Sequence, residues 1–126
     1  MNYTAGKPQA STGTHVPPGE YALRVIEATE DTSKGGNDMI KLKLRVLHDD
    51  GTEGPALFDY LVFQDSSLWK IDQFLKSAEQ HPGEGVEIDL DVNQMIGWEV
   101  RGLLKVEDYK GNKNNKVESY LFEEEF

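Results

Sequence analysis

Residues 39–51 read MIKLKLRVLHDDG. Ile40, Leu42, Leu44 and Val46 alternate with Lys41, Lys43 and Arg45. Only a strand sends alternate side chains to opposite faces, so this stretch predicts one face in a core and three cations in a row on the other. Asp50-Gly51 marks the turn that follows. The cations would stand about 7 Å apart, two rises of ~3.3 Å. Successive phosphates of an extended single strand have a similar spacing. A merely solvated outer sheet face is the plainer reading of the same row.

The flanking sequence extends the pattern. Residues 1–18 are polar, rich in Gly, Pro, Ser and Thr, and read as an N-terminal arm closed by Pro17-Pro18. GEYALRVIEATED, from Gly19, predicts a long strand with Tyr21, Leu23 and Val25 on one face and Ala22, Arg24 and Ile26 on the other. SKGGND is a turn, and ALFDYLVF (56–63) a third strand. In DSSLWKIDQFLKSAEQHPG the period becomes helical: Leu68, Ile71, Leu75 and Ala78 share a face, with Trp69 and Phe74 alongside. Asp65 or Ser66 would cap that helix and Pro82-Gly83 would end it. VEIDLDV (86–92) alternates apolar residues with acids, as another strand or an extended linker would. From Gly97 the chain reads as a hairpin. Trp98, Val100, Leu104 and Val106 would line its first strand, Val117, Ser119 and Leu121 its second, with DYKGNKNNK as the loop. A helix after the third of five strands is the order of the OB-fold, so the expected class is mainly β: a five-stranded Greek-key barrel with one helix between its third and fourth strands. An open sheet covered by one helix has the same order of elements.

The chain holds 13 basic and 23 acidic residues, a net charge of -10. That argues against a polyanion as partner, because phosphate affinity rests on Lys and Arg. The distribution argues otherwise. Residues 34–45 carry Lys34, Lys41, Lys43 and Arg45 against Asp38; residues 101–116 carry Arg101, Lys105, Lys110, Lys113 and Lys116 against Glu107 and Asp108. Single-strand binders join such basic surfaces to aromatic platforms. Tyr21, Phe58, Tyr60, Tyr109 and Tyr120 are the candidates, with Phe58, Phe63, Phe74 and Trp98 weighed as core instead.

Other chemistry finds little support. There is no cysteine, so no disulfide, thiolate nucleophile or Cys-type zinc site. His15, His48 and His81 share no spacing, and Asp89-x-Asp91-x-Asn93 lacks the glycine and closing glutamate of a calcium loop. No phosphate-cradling loop or nucleophile elbow occurs. The reading is therefore no enzyme, no metal and no cofactor. No apolar run approaches the ~20 residues of a membrane span, and the N-terminus lacks the apolar centre of a signal peptide. The expected setting is the cytoplasm, with oligomeric state open and a homodimer included.

PPGEYALRVIEATEDTSKGGNDMIKLKLRV, LFDYLV, and IGWEVRGLLKVEDYKGNKNNKVESYL together resemble a phage-encoded family catalogued as domain of unknown function 669. The matching features are Gly19 and Tyr21; Lys34-Gly35-Gly36-Asn37-Asp38-Met39; Tyr109-Lys110-Gly111; and Asn115-Lys116-Val117. The resemblance covers residues 17–121 and leaves 84–95 unmatched. It implies a single-stranded-DNA-binding protein of phage replication or recombination, in the host cytoplasm, on an OB-like barrel over residues 19–121. Lys41, Lys43, Arg45, Arg101 and Lys105 would then hold phosphates, joined by Lys34 and Asn37 of the matched motif. Lys110, Lys113 and Lys116 would clamp from the last hairpin, and Tyr60 and Tyr109 would stack bases. Residues 122–126 would form an acidic tip. Glu123, Glu124, Glu125 and Phe126 resemble the ends of single-strand-binding proteins, which dock replication or recombination proteins or fold onto the basic groove in place of DNA. The alternative is an adaptor or inhibitor that binds protein and not DNA on the same barrel.

Overall fold

The computed structural model describes residues 15–83, 85 and 90–122, the side chain of Tyr109 apart. Strands β1 (Gly19–Thr32), β2 (Asp38–Leu47) and β3 (Glu53–Val62) come first. A single 3-10 turn (Asp65–Ser67) leads into helix α1 (Leu68–Ser77), and the short helix α2 (Val92–Met95) precedes β4 (Glu99–Tyr109) and β5 (Asn112–Leu121). The strands form one antiparallel sheet in the order β3-β2-β1-β4-β5. Among the described residues no ladder joins β3 to β5, so the sheet is open rather than a closed barrel.

The alternation in β2 holds as expected. Ile40, Leu42, Leu44 and Val46 are all buried, and Lys41, Lys43 and Arg45 lie half-buried on the opposite face. β1 serves two neighbours: Gly19–Arg24 pair with β4, and Ala22–Thr32 pair with β2. A bulge between Val25 and Glu27 bends it between these duties. The inner face carries Leu23 and Val25 of β1, Leu57 and Leu61 of β3, Val100 and Leu104 of β4, and Val117 and Tyr120 of β5. α1 lays Ile71, Phe74 and Leu75 onto it. Among the described residues no helix is long and apolar enough to cross a membrane.

Asp59 is the polar exception on that inner face. It lies between Leu57 and Leu61 and is 3% exposed. Burying a carboxylate is costly unless it is paired and hydrogen-bonded. Lys70 of α1 reaches its Oδ1 at 2.5 Å, and the Tyr120 hydroxyl of β5 donates to Oδ2 at 2.5 Å. Asp59 thus ties both edge strands and the helix together where no ladder does. The helix adds two more ties: the Tyr120 amide donates to Gln73 Oε1 (3.3 Å), and Ser77 Oγ accepts from the Arg101 amide (2.8 Å).

Several local expectations are corrected. β5 does not present Val117, Ser119 and Leu121 on one face. An irregularity between Leu103 and Leu104 pairs them with Ser119 and Val117, leaving Glu118 as the extra residue. The alternation is thereby reset, and Tyr120 goes inward while Ser119 and Leu121 do not. DYKGNKNNK is no broad loop: the strands run to Tyr109 and from Asn112, joined by Lys110 (φ 53) and Gly111 (φ 84). Two successive positive φ values are what a tight hairpin turn requires. Neither Asp65 nor Ser66 caps α1; they lie in the preceding 3-10 turn, and Ser67 at the N-cap makes no side-chain capping bond, its Oγ accepting from Gln64 Nε2 instead. Leu68, expected in the apolar stripe, is exposed, as is Trp69. α1 stops at Ser77, where Glu79 turns left-handed (φ 60), before Pro82-Gly83. Residues 86–89 of VEIDLDV, expected as a strand or an extended linker, lie outside the described residues. The rest of it is no strand: Asp91 caps α2 by accepting from the Asn93 amide.

Burial, and then the charge and hydrogen bond of Asp59, push the Tyr120 phenol well above its ordinary value of 10.0. Above about pH 10 the unfolded chain sheds this proton while the folded chain keeps it, so stability falls as pH rises. Tyr120→Phe removes a donor from a buried carboxylate and is expected to cost ~1–3 kcal/mol in urea unfolding near pH 7. The gap between the variant and the wild type should narrow above about pH 10. A gap of constant size across that range would contradict the linkage.

Candidate nucleic-acid interface

The outward face of β2 and β3 brings the expected cations beside two aromatic rings. The ladder places Lys41 opposite Tyr60, Lys43 opposite Phe58 and Arg45 opposite Ala56. Phe58 is 47% exposed and Tyr60 43%. Both point outward because Leu57, Asp59 and Leu61 alternate with them and point inward. The Lys41 ammonium lies 4.8 Å from the centroid of the Phe58 ring and that of Lys43 5.8 Å, within range of cation–π attraction. Lys43 is also 3.8 Å from Glu27 of β1. Among the described residues no carboxylate lies within ion-pair reach of Lys41.

Arg45 differs from the two lysines. Its Nη1 donates to the Gly54 carbonyl at 3.1 Å, and its Nε is 4.0 Å from Glu53. Glu53 also receives Arg24 at 2.8 Å. The structure therefore uses Arg45 to hold the β2–β3 turn. At the other end, Lys34 is exposed in the turn between β1 and β2. Asn37 is half-buried there, and its side-chain amide donates to Gln64 Oε1 at 2.9 Å. The Phe63 amide donates to the Asp38 carbonyl, so this turn borders the Tyr60 end of the face. Asn37 fastens that corner.

The second basic island lies two strands away and largely neutralises itself. Arg101 pairs with Glu20. Lys105 and Lys116 lie 3.6 and 3.9 Å from Glu107, and Lys113 lies 3.5 Å from Asp108. Lys110 occupies the hairpin turn; the Tyr109 side chain lies outside the described residues. β1 separates the islands; Glu20 and Glu27 stand on its outward face, and Glu99 of β4 lies across the ladder from Arg24. The two islands are not one uninterrupted cationic surface. The groove between α1, β1 and β4 is mixed in charge, lined among others by Glu20, Glu99, Arg101, Lys76 and Phe122.

Other expected residues take structural places. Tyr120 is buried against Asp59 and is no platform. Tyr21 is half-buried, and its hydroxyl donates to the Pro17 carbonyl at 2.8 Å. Phe122, assigned to the tip, sits with its ring 5.1 Å from the Lys76 ammonium. Glu123–Phe126 lie outside the described residues. Among the described residues no three His, Asp or Glu gather as metal ligands would. The arm is held where it enters the sheet: buried Asn115 accepts from the Val16 amide (2.7 Å) and donates to the carbonyls of Val16 (2.9 Å) and Lys105 (3.2 Å).

The structure gives two residues of this face and its support a larger part than the sequence alone assigns them. Phe58 is a candidate platform for which the sequence favours the core; it is exposed instead, and the period of two that it shares with Tyr60 is the available signal. Asn115 stands in the sequence only as part of a motif, and nothing local reveals its bonds to Val16, 99 positions away.

The protein is thus a single antiparallel sheet braced by one helix, with a cation–aromatic face on its second and third strands. A family model described as "Protein of unknown function (DUF669)" matches residues 4–125, and the chain belongs to that family. No curated protein matches the chain.

Asn115→Ala leaves the Val16 amide without its partner and is expected to cost ~1–3 kcal/mol. Hydrogen exchange should show the Val16 amide losing protection while the β1–β2 ladder keeps it. Unchanged protection at Val16 would mean that the arm is held by other contacts.

Proposed function

We propose that the protein binds single-stranded DNA, without sequence preference, on the outward face of β2 and β3. One observation carries this reading: Lys41 and Lys43 stand directly across the ladder from the exposed rings of Tyr60 and Phe58. Exposed aromatics on an edge strand are a liability for an isolated protein. Beside a row of cations they form the pairing of phosphate contact and base-stacking platform used for single strands. We read the curled sheet as an OB-like barrel open between β3 and β5. In that architecture the second and third strands, with the β1–β2 and β4–β5 turns, take up oligonucleotides. Lys34 would contact phosphates from the first turn. Lys110, Lys113 and Lys116 would do so from the second; the exposed ion pairs of Lys113 and Lys116 are worth only ~0–1 kcal/mol and exchange readily for phosphate. The family resemblance points to phage replication or recombination as the setting. The acidic tip, Glu123–Phe126, would dock a protein of the same pathway or compete with DNA.

The acids on β1 and the self-paired hairpin favour a second reading, a protein-binding adaptor with no useful DNA affinity. Fluorescence-anisotropy titration of a labelled oligo(dT) of about 30 nucleotides, at about 50 and about 200 mM salt, separates the two. Under the first reading binding is seen and weakens with salt. Tyr60→Ala and Phe58→Ala should each weaken it about 5- to 150-fold, the equivalent of ~1–3 kcal/mol per stacked base. Lys41→Met and Lys43→Met should each lower the salt slope by about 0.7. A chain ending at Phe122 should bind more tightly if the tip competes with DNA. No binding at low salt by either chain would overturn this reading in favour of the adaptor.

A further inference from the structure

The Phe58 ring is exposed to solvent, yet two ammonium groups already lie over it. Lys41 is 4.8 Å and Lys43 5.8 Å from its centroid. Among the described residues no cation lies over the ring of Tyr60, one pleat further on. A base cannot stack on a ring face that a lysine covers. A lysine that leaves the ring must find another anion or π-face, and the nearest new anions in a bound strand are the phosphates flanking that base.

We infer that Phe58 is a shared seat, holding lysine in the free protein and a nucleobase in the complex, so that stacking and phosphate contact at this face occur as one exchange. This rests on the single-strand reading above and deepens it. Tyr60 is the open platform where a first base lands. Phe58 takes the next base only as Lys41 and Lys43 swing from the ring to the backbone. Glu27, 3.8 Å from Lys43, holds that ammonium on the sheet until phosphate replaces it. The ligand class follows: the site requires a strand bearing both bases and phosphodiesters, and a backbone without bases leaves the lysines largely on the ring.

The salt dependence of binding reads the exchange. For single strands the slope of log K against log salt is about 0.7 per phosphate contact, so two released lysines add about 1.4. The wild-type chain is titrated with oligo(dT) and with an abasic phosphodiester of equal length. The slope on oligo(dT) should exceed that on the abasic strand by more than the scatter of the method, approaching about 1.4. In Phe58→Leu the seat is gone, so the two slopes should coincide. In Tyr60→Leu, which removes a platform and leaves the seat, the difference should persist. Thermal melts check that both exposed-site variants fold. Binding of oligo(dT) with equal wild-type slopes on the two ligands would overturn the exchange and leave the single-strand reading standing. Failure to bind oligo(dT) at all would overturn both.

Discussion

Asp59 is buried on the inner face of β3, and the surrounding structure is arranged around its need for partners. Lys70 and Tyr120 supply them, from α1 and β5. Removing the ionic partner of a buried charge, here Lys70, typically costs ~3–5 kcal/mol, more than an exposed ion pair contributes. The contact also has a topological role. β3 and β5 are the two edges of the sheet, and the described residues contain no ladder between them. The carboxylate, its two partners and the packing of Phe74 on Tyr120, with ring centroids 5.1 Å apart, hold the edges in register instead.

That register sets the candidate binding face. Strand side chains alternate with period two, so a slip of one residue would move every outward group inward. With Leu57, Asp59 and Leu61 committed to the interior, Phe58 and Tyr60 must face outward. With Ile40, Leu42, Leu44 and Val46 committed likewise, Lys41 and Lys43 must join them. The interior of the protein thereby aligns two cations with two rings. Arg45 begins the same row but ends in the service of the β2–β3 turn, through Gly54 and Glu53.

Much of this was legible in the residues, for a physical reason. β2 announces itself because its alternation is uninterrupted and its apolar face is fully buried. The helix announces itself through its change of period. What escaped depends on distance or on irregularity. Asp59 and Tyr120 are 61 positions apart, and no local pattern links them. The inward turn of Tyr120 follows from an extra residue at Glu118, which breaks the period on which the reading relied. A sum of charges over the cationic hairpin does not show that Glu107 and Asp108 are the direct neighbours of Lys105, Lys113 and Lys116. Composition favours the core for Phe58, since aromatics in strands are usually buried; its exposure follows from its place across the ladder from Lys43, on the outward face.

The most direct test is residue-resolved. A nitrogen-labelled chain would be titrated with oligo(dT), and its amide and tyrosine-ring signals followed by NMR. The account expects the largest shifts at Lys41, Lys43, Phe58 and Tyr60, with smaller ones at Lys34 in the adjoining turn. Shifts confined to the β4–β5 hairpin or to the groove beside α1, or no shifts at all, would contradict it.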